Sequence, residues 1–329
     1  MTASTDQADA PAARDQRVPD FFIVGHAKSG TSALYRMLRS RPQIYMPDVK
    51  EPAYFVPEFR SPHRRHAPPR HPDTWEGYLG LFADARPDQL VGEATPSYLF
   101  SHEAAGRIAK ARPDARIIAI LREPASFMRS LHLQLLKTDV ETEKDLGRAI
   151  ALEERRREGK SLPPYSPRPQ LLMYSEHVRY AEQLRRYRDA FSAEQMLVLI
   201  YEDFRADNEA TVREVLRFLE VQDSGPIEVQ DVNPAKRVRS PRVQELVRSV
   251  YKGRGPVAGK AKAAIKAVTP QRLRHEAISV SRRAQLAEPE PADEAVMLEL
   301  RRRFAGEVVA CGEYLDRDLV TLWGYDGIA

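Results

Sequence analysis

Residues 21–38 read FFIVGHAKSGTSALYRML, in which a short polar segment joins an apolar run to a helical periodicity. Two glycines in this segment, Gly25 and Gly30, allow a ligand to approach the backbone closely. The other polar side chains are those of Lys28, Ser29, Thr31 and Ser32. A loop that joins a strand to the N-terminus of a helix directs backbone N–H groups and the positive end of the helix dipole at an anion. The sequence therefore predicts a strand, a phosphate-binding loop and a helix over Thr31–Arg39.

This loop differs from the ATP- and GTP-binding loop G-x-x-x-x-G-K-[ST], in which the lysine directly precedes the Ser or Thr that holds Mg²⁺. Here Lys28 lies inside the loop, and Thr31 follows Gly30 directly. The apolar run RIIAIL at 116–121 is followed by Arg122, not by an acidic residue. The segments HPDTW and HRRH lack zinc-ligand spacing. The pattern favours a phosphate site that uses no metal.

A second phosphate-binding group follows the second apolar run. Arg122 comes directly after it, and Ser130 lies eight residues later in a predicted helix. Arginine can bind a phosphate through two hydrogen bonds, and a serine can donate a further one. Parallel strands end at the same edge of a sheet, where ligands bind in open α/β folds. Two phosphate sites at one edge suit a nucleotide that is phosphorylated at both ends of its ribose.

The apolar runs also indicate the fold class. FFIV at 21–24, RIIAIL at 116–121 and MLVLIY at 196–201 are typical of buried parallel strands. Helical patterns at 31–39, 177–191 and 210–219 alternate with them. This alternation predicts a three-layer α/β/α fold with a central parallel sheet, similar to that of P-loop NTPases. On the last of these helices, the apolar face is formed by Val212, Val215, Leu216 and Leu219.

Composition sets the remaining limits. Of 329 residues, 42% are hydrophobic and 30% are charged, with a net charge of +4, as in an ordinary globular protein. The lone cysteine, Cys311, excludes a disulfide framework and a cysteine-rich metal site, and its apolar neighbours predict that it is buried. No apolar run approaches the ~20 residues that span a bilayer. No motif indicates nucleic-acid binding. We expect a cytoplasmic enzyme.

The predicted domain organisation has three parts. Residues 1–18 contain no apolar run, which predicts a disordered tail. Residues 19–329 are predicted to form a single domain. Within it, the basic, alanine-rich stretch at about 252–292 predicts a helical insertion.

Together, VGHAKSGTSAL and R-x-P followed by a serine eight residues after the arginine resemble the PAPS-dependent sulfotransferases. The resemblance is closest to the branch that contains the heparan-sulfate and bacterial enzymes. It covers roughly residues 20–250, with a weaker similarity in FAGEVVACGEYLDRDLVTLW near the C-terminus. It implies PAPS as the sulfuryl donor. It also implies that the 5′-phosphosulfate is bound by Lys28, Ser29, Gly30, Thr31 and Ser32, and the 3′-phosphate by Arg122 and Ser130.

The same resemblance suggests a catalytic base. KEPAYF at 50–55 is similar to the K-E-P-x-F-F stretch that carries the catalytic glutamate of the heparan-sulfate branch, which implies Glu51. Such a base takes the proton of the acceptor hydroxyl, and Lys28 would offset charge on the departing nucleotide. His26 remains a rival base because imidazole titrates near neutral pH. Alternatively, Glu51 pairs with Lys50 and has only a structural role.

Two further segments bear on the ligands. In NPAKRVRSPR at 233–242, Lys236, Arg237 and Arg239 resemble a basic loop that closes over the nucleotide; the alternative is a solvated run of charges. GEATPSYLF at 92–100 resembles the family's E-K-[ST]-P-x-Y-[FL] stretch beside the acceptor, but Ala94 replaces its lysine, and His132 stands where many members have a tyrosine. The acceptor is therefore expected to be a hydroxyl-bearing small molecule, lipid or carbohydrate, with an extended anionic glycan less favoured.

Two alternative functions remain open at the level of the sequence. A P-loop nucleotide kinase shares the strand, loop and helix, but it needs a lysine before Thr31 and an acidic ligand for Mg²⁺. A non-catalytic nucleotide-binding protein would have no need of Glu51.

Overall fold

A five-stranded parallel sheet forms the centre of the molecule in the computed structural model. The structure describes residues 17–59, 72–138, 140–163, 169–222, 225–227, 237–238, 286–287 and 292–328. The strands of the sheet are β1 (Phe21–Gly25), β2 (Ile44–Tyr45), β3 (Leu90–Ala94), β4 (Arg116–Leu121) and β5 (Met196–Ile200).

The order of the strands places β1 at the centre. The sheet runs β2-β3-β1-β4-β5, and every neighbouring pair is parallel. In the register of β1, Phe22 lies opposite Glu93 on β3 and Ile117 on β4. The chain crosses from β1 to the β2 edge and later returns to the other side of β1, so the strand order reverses beside this strand. In open α/β sheets, ligands bind at the carboxyl edge at such a point.

Helices flank the sheet on both sides. In chain order they are α1 (Thr31–Arg39), α2 (Trp75–Leu79), α3 (Ser97–Phe100), α4 (Ala104–Ala111), α5 (Pro124–Lys137), α6 (Leu146–Ala151), α7 (Glu153–Arg157), α8 (Tyr174–His177), α9 (Tyr180–Arg188), α10 (Tyr201–Ala206), α11 (Asn208–Phe218), α12 (Glu294–Leu315) and α13 (Leu319–Trp323).

Alternate side chains of each strand enter two separate hydrophobic cores. Phe21 and Ile23 of β1 pack in the core formed with α1, α10 and α11. Phe22 and Val24 pack in the larger core, with α3, α4, α5, α9 and α12. Because both faces of the sheet are covered, the sequences of β1, β4 and β5 are almost continuously apolar. The three-layer α/β/α fold predicted from the sequence is confirmed.

Most of the predicted elements occur with shifted ends. The predicted helix at 177–191 is α9, which begins at Tyr180 and ends at Arg188. The predicted helix at 210–219 is α11, and the four apolar residues of its predicted face are buried. Cys311 is buried, as predicted, and burial raises the pKa of its thiol to about 12. Strands β2 and β3 were not predicted from the sequence.

Several predicted features lie outside the described residues. They are the tail, of which only residues 17–18 are described, and the insertion at about 252–292, except for 286–287 and 292. The short strand β6 (Arg237–Val238) pairs antiparallel with β7 (Leu286–Ala287), and its backbone lies against α5. Over the described ranges, no helix combines the length and apolar character that a membrane span requires.

Candidate active site

The loop between β1 and α1 has an unusual backbone conformation. Lys28 and Gly30 adopt positive φ angles of 65° and 89°. A Cβ atom on Gly30 would lie 2.9 Å from the ring of Phe204 on α10. Position 30 therefore requires glycine both for its φ angle and for its close contact with α10. From here α1 begins at Thr31, so the N-terminus of this helix follows the loop directly.

Two buried polar groups at this loop fit an anionic ligand. Within the described part of the chain, the Ser29 Oγ and the Arg122 Nε are buried and have no hydrogen-bond partner. A buried donor without a partner is costly, so such groups call for a ligand or water. Both would gain a strong, charge-assisted hydrogen bond from a phosphate or phosphosulfate oxygen. The residues present therefore fit the nucleotide that the sequence implied.

Arg122 brings the exit of β4 to the loop. Its Nη1 donates a hydrogen bond to the Lys28 carbonyl oxygen over 2.9 Å. Its guanidinium carbon lies 4.6 Å from the centre of the Tyr201 ring, in a cation–π contact. Tyr180 donates to the Arg122 carbonyl over 2.9 Å, which fixes the backbone at the same residue. The predicted meeting of the two strand exits is thus present in the structure.

The helix that follows Arg122 is held at its first turn. Glu123 caps α5 by accepting hydrogen bonds from the Ala125 and Ser126 N–H groups over 3.0 and 2.7 Å. Tyr325, near the C-terminus, donates to the same carboxylate over 2.6 Å. Ser130 lies on this helix, buried, about 9 Å along the axis from its first residue.

Charged groups gather around Lys28. Partial burial lowers the pKa of its ammonium, and the nearby charges of Lys137 and Arg122 lower it further, whereas Glu51 acts in the opposite direction. Lys137, Arg122 and Glu51 therefore each lie within electrostatic reach of Lys28. Lys137, at the end of α5, was missed by sequence reasoning because nothing in the sequence distinguishes it from an ordinary surface lysine.

Glu51 lies at the rim of this cluster. Its side chain is 54% exposed, and it forms an ion pair with Lys50 over 2.6 Å. The pairing foreseen as the structural alternative is thus present, while the carboxylate still acts on the charge of Lys28. Exposure keeps the carboxylate accessible to a molecule arriving from solvent.

His26 is in a different environment. Its ring is buried, and its Nε2 shares a 2.7 Å hydrogen bond with the Gln183 Oε1. Phe127 and Tyr180 pack against the ring at centroid distances of 5.0 and 5.4 Å. Desolvation lowers the pKa of His26 to about 4. The imidazole is thus a neutral part of the wall behind the loop.

The remaining sequence-predicted positions are only partly described. Lys236 and Arg239 lie outside the described residues, and Arg237 is described only by its backbone, in β6. His132 is buried and forms hydrogen bonds with the Tyr174 hydroxyl over 2.9 Å and with the Lys144 carbonyl over 3.1 Å. Among the described residues, no group of three or more His, Cys, Asp or Glu side chains could hold a metal ion.

Comparisons with known proteins agree with one another. The model of the sulfotransferase family matches residues 19–225. A sulfotransferase crystal structure from Alicyclobacillus acidocaldarius is 30% identical, with a TM-score of 0.57, and the match covers 76% of this chain and 96% of that one.

Two curated relatives from Mus musculus match this chain over a smaller fraction of their own length than the crystal structure does. Heparan sulfate glucosamine 3-O-sulfotransferase 3B1 is 32% identical over 124 residues, which cover 38% of this chain and 28% of the relative. Carbohydrate sulfotransferase 15 is 25% identical over 281 residues, which cover 70% of this chain and 49% of the relative. This chain therefore matches less than half the length of either relative.

Proposed function

Because this chain belongs to the sulfotransferase family, we propose that it transfers the sulfuryl group of PAPS to an acceptor hydroxyl and releases PAP. The observation that carries the proposal is the meeting of two phosphate-binding strand exits at one edge of the sheet. Arg122 contacts the Lys28 carbonyl there, and the Oγ of Ser29, the next residue of the loop, is buried without a hydrogen-bond partner among the described residues.

The proposed donor site divides the nucleotide between the two strand exits. The loop groups from Lys28 to Ser32 would bind the 5′-phosphosulfate, and Arg122 with Ser130 would bind the 3′-phosphate. Lys236 and Arg237 would close over the nucleotide, which is supported by the position of β6 against α5.

When bound, PAPS supplies an activated sulfuryl group, whose S–O bond to the 5′-phosphate breaks as a new S–O bond forms to the acceptor. Glu51 would accept the proton of the acceptor hydroxyl. Lys28 would stabilise the negative charge that develops on the departing phosphate oxygen, and its lowered pKa makes the ammonium a stronger hydrogen-bond donor. The exposure of Glu51 and the burial of His26 both favour Glu51 as the base.

The proposed acceptor is a hydroxyl-bearing small molecule, lipid or carbohydrate. The relatives named above carry glucosamine and carbohydrate acceptors in their names. A carbohydrate hydroxyl is therefore the first acceptor class to examine.

A transfer assay with PAPS labelled at the sulfuryl group tests the proposal. Sugars, lipids and small alcohols are offered in parallel, with and without EDTA. We expect release of PAP and label in at least one acceptor, at an unchanged rate in EDTA. Phosphoryl transfer from ATP that depends on Mg²⁺, with no label transferred from PAPS, would instead support the nucleotide kinase.

A further inference from the structure

The segment that carries Glu51 has an unfavourable backbone. Glu51 and Ala53 both adopt positive φ angles, of 60° and 54°, and neither is glycine. Left-handed backbone is disfavoured for residues with a Cβ atom. Pro52, buried between them, restricts the segment further. Two such residues in three positions need external interactions to hold them.

Three hydrogen bonds hold this segment against the end of β3. The Glu51 N–H donates to the Ala94 carbonyl over 3.1 Å. The Ala53 N–H donates to the Thr95 Oγ1, and the Phe55 N–H donates to the Tyr98 Oη, each over 3.3 Å. Two of the three acceptors are therefore side-chain hydroxyls. A hydroxyl oxygen can accept from a backbone N–H only when its own proton is directed away from that N–H group.

Glu93 takes the protons of these hydroxyls. Its Oε1 accepts from the Thr95 hydroxyl over 2.5 Å, and its Oε2 accepts from the Tyr98 hydroxyl over 3.2 Å. The Tyr78 hydroxyl also donates to Oε2, over 2.6 Å. Above pH 7, where this carboxyl is mainly ionised, it accepts hydrogen bonds and donates none, so it leaves every hydroxyl around it as a donor. The oxygen lone pairs of Thr95 and Tyr98 then remain free for the N–H groups of Ala53 and Phe55.

Burying the carboxyl group of Glu93 costs free energy of folding, because the group loses its contacts with water. The residue is fully buried. Burial raises the pKa of its carboxyl to about 7, although the hydrogen bonds from Thr95, Tyr78 and Tyr98 oppose this shift. An apolar residue would fill this place in the core without that cost. With an apolar residue at position 93, the Thr95 and Tyr98 hydroxyls would be free to rotate. The left-handed segment would then lose acceptors with a fixed orientation.

We propose that Glu93 is a positioning residue for sulfuryl transfer: through Thr95 and Tyr98 it orients the left-handed segment that presents Glu51 to the acceptor. In this role Glu93 would contact neither nucleotide nor acceptor. The inference rests on the proposed role of Glu51 as the base.

Kinetics of Glu93→Gln at pH 8, where the wild-type carboxyl with its pKa of about 7 is mainly ionised, test the proposal. The amide keeps the shape but can donate as well as accept, so it no longer fixes the direction of both hydroxyls. We expect kcat to fall by about 10- to 100-fold, the range that a misplacement near 1 Å can cause. PAP affinity, measured by calorimetry, should remain within about twofold of wild type, since the nucleotide loop lies on β1 and β4. A wild-type kcat would overturn the proposal.

A double-mutant comparison separates positioning from a general loss of structure. In the Glu51→Gln background, adding Glu93→Gln should lower kcat no further, because the group being positioned has already been removed. A full additional loss would show that Glu93 acts by another route and would overturn the inference. If Glu51→Gln alone keeps wild-type kcat, the assignment of the base fails first, whatever Glu93→Gln does.

A matched pair of tyrosines tests the proposal should Glu93→Gln fail to fold. Tyr98→Phe removes the hydroxyl that bridges Glu93 and the Phe55 N–H. Tyr187→Phe removes another fully buried hydroxyl, on α9, which has no hydrogen-bond partner within the described residues. We expect a several-fold lower kcat with unchanged PAP affinity for Tyr98→Phe, and wild-type values for Tyr187→Phe. Equal kcat values in the two variants would overturn the proposal.

Discussion

At the scale of single residues, Lys28 and Glu51 have different tasks in this account. Lys28 belongs to the nucleotide loop, and its ammonium is partly desolvated and surrounded by other cations. Glu51 lies at the exposed rim, paired with Lys50. One residue would thus act on donor binding and chemistry, and the other on chemistry alone.

Substitution of these two residues should separate the two tasks. Glu51→Gln should leave PAP affinity nearly unchanged while kcat falls by roughly 10²–10⁴-fold, the usual contribution of a positioned general base. Lys28→Ala should weaken PAPS binding and also lower kcat, because its charge acts on the nucleotide before and during transfer. Lys110→Ala, at an exposed site on α4, serves as the control and should change neither.

The rival base gives the contradicting outcome. If Glu51→Gln keeps its kcat while His26→Ala abolishes transfer with PAP binding intact, the imidazole is the base. The burial of His26 and its hydrogen bond with Gln183 argue against that result.

At the scale of elements, the sequence predicted those strands whose residues are nearly all apolar. FFIV, RIIAIL and MLVLIY correspond to β1, β4 and β5 almost residue for residue. β3 was not predicted, because a glycine and a glutamate interrupt the apolar pattern of its sequence, LVGEA. Both have tertiary causes: a Cβ atom on Gly92 would lie 2.1 Å from the Phe21 ring, and Glu93 anchors three hydroxyls. No local pattern contains that information.

The candidate active site could likewise be predicted only in part from the sequence. Lys28 and Arg122 were predictable because each directly follows a recognisable strand. The network that holds the Glu51 segment was not, since its members lie on three separate segments and meet only in the folded chain.

The glycine that ends the nucleotide loop provides a prediction at this scale. Gly30→Ala should weaken PAP binding by about 10-fold or more, because alanine pays roughly 1–2 kcal/mol in left-handed backbone and its methyl group meets Phe204. Gly106→Ala is the matched control, since α4 offers open space there. It should stabilise the fold by roughly 0.5–1 kcal/mol and leave PAP affinity unchanged. Similar PAP affinities for the two variants, measured by calorimetry, would contradict the assigned role of the loop.

At the scale of the whole molecule, two buried histidines should make stability depend on pH. Desolvation lowers the pKa of His26 to about 4 and that of His177 to about 3, both from 6.5. As the pH falls from 6.5, the unfolded chain binds protons that the folded chain does not, so the free energy of unfolding decreases. Each histidine contributes a loss on the order of 3 kcal/mol by pH 4. Glu93, with its raised pKa, acts in the opposite direction between pH 4.5 and about 7.

His177→Phe isolates one of these contributions. The new ring keeps the stack on Phe100, where the centroids lie 3.9 Å apart, but it cannot take up a proton. Between pH 6.5 and 4, the variant should lose less stability than wild type in denaturant unfolding, while Glu93 contributes equally to both proteins. Identical losses in the two proteins would contradict the assignment of His177 as a buried neutral group.

The affinities for PAP and for AMP, measured by calorimetry in EDTA, test most directly whether two phosphate sites meet at this edge of the sheet. The two nucleotides differ only in the 3′-phosphate, which this account assigns to Arg122 and Ser130. We predict that wild type binds PAP about 10- to 150-fold more tightly, as expected for charge-assisted hydrogen bonds of about 1.5–3 kcal/mol. Arg122→Ala should remove most of this difference, whereas Arg107→Ala, at an exposed ion pair on α4, should preserve it. Equal affinities of wild type for PAP and AMP, or binding that requires Mg²⁺, would contradict the account.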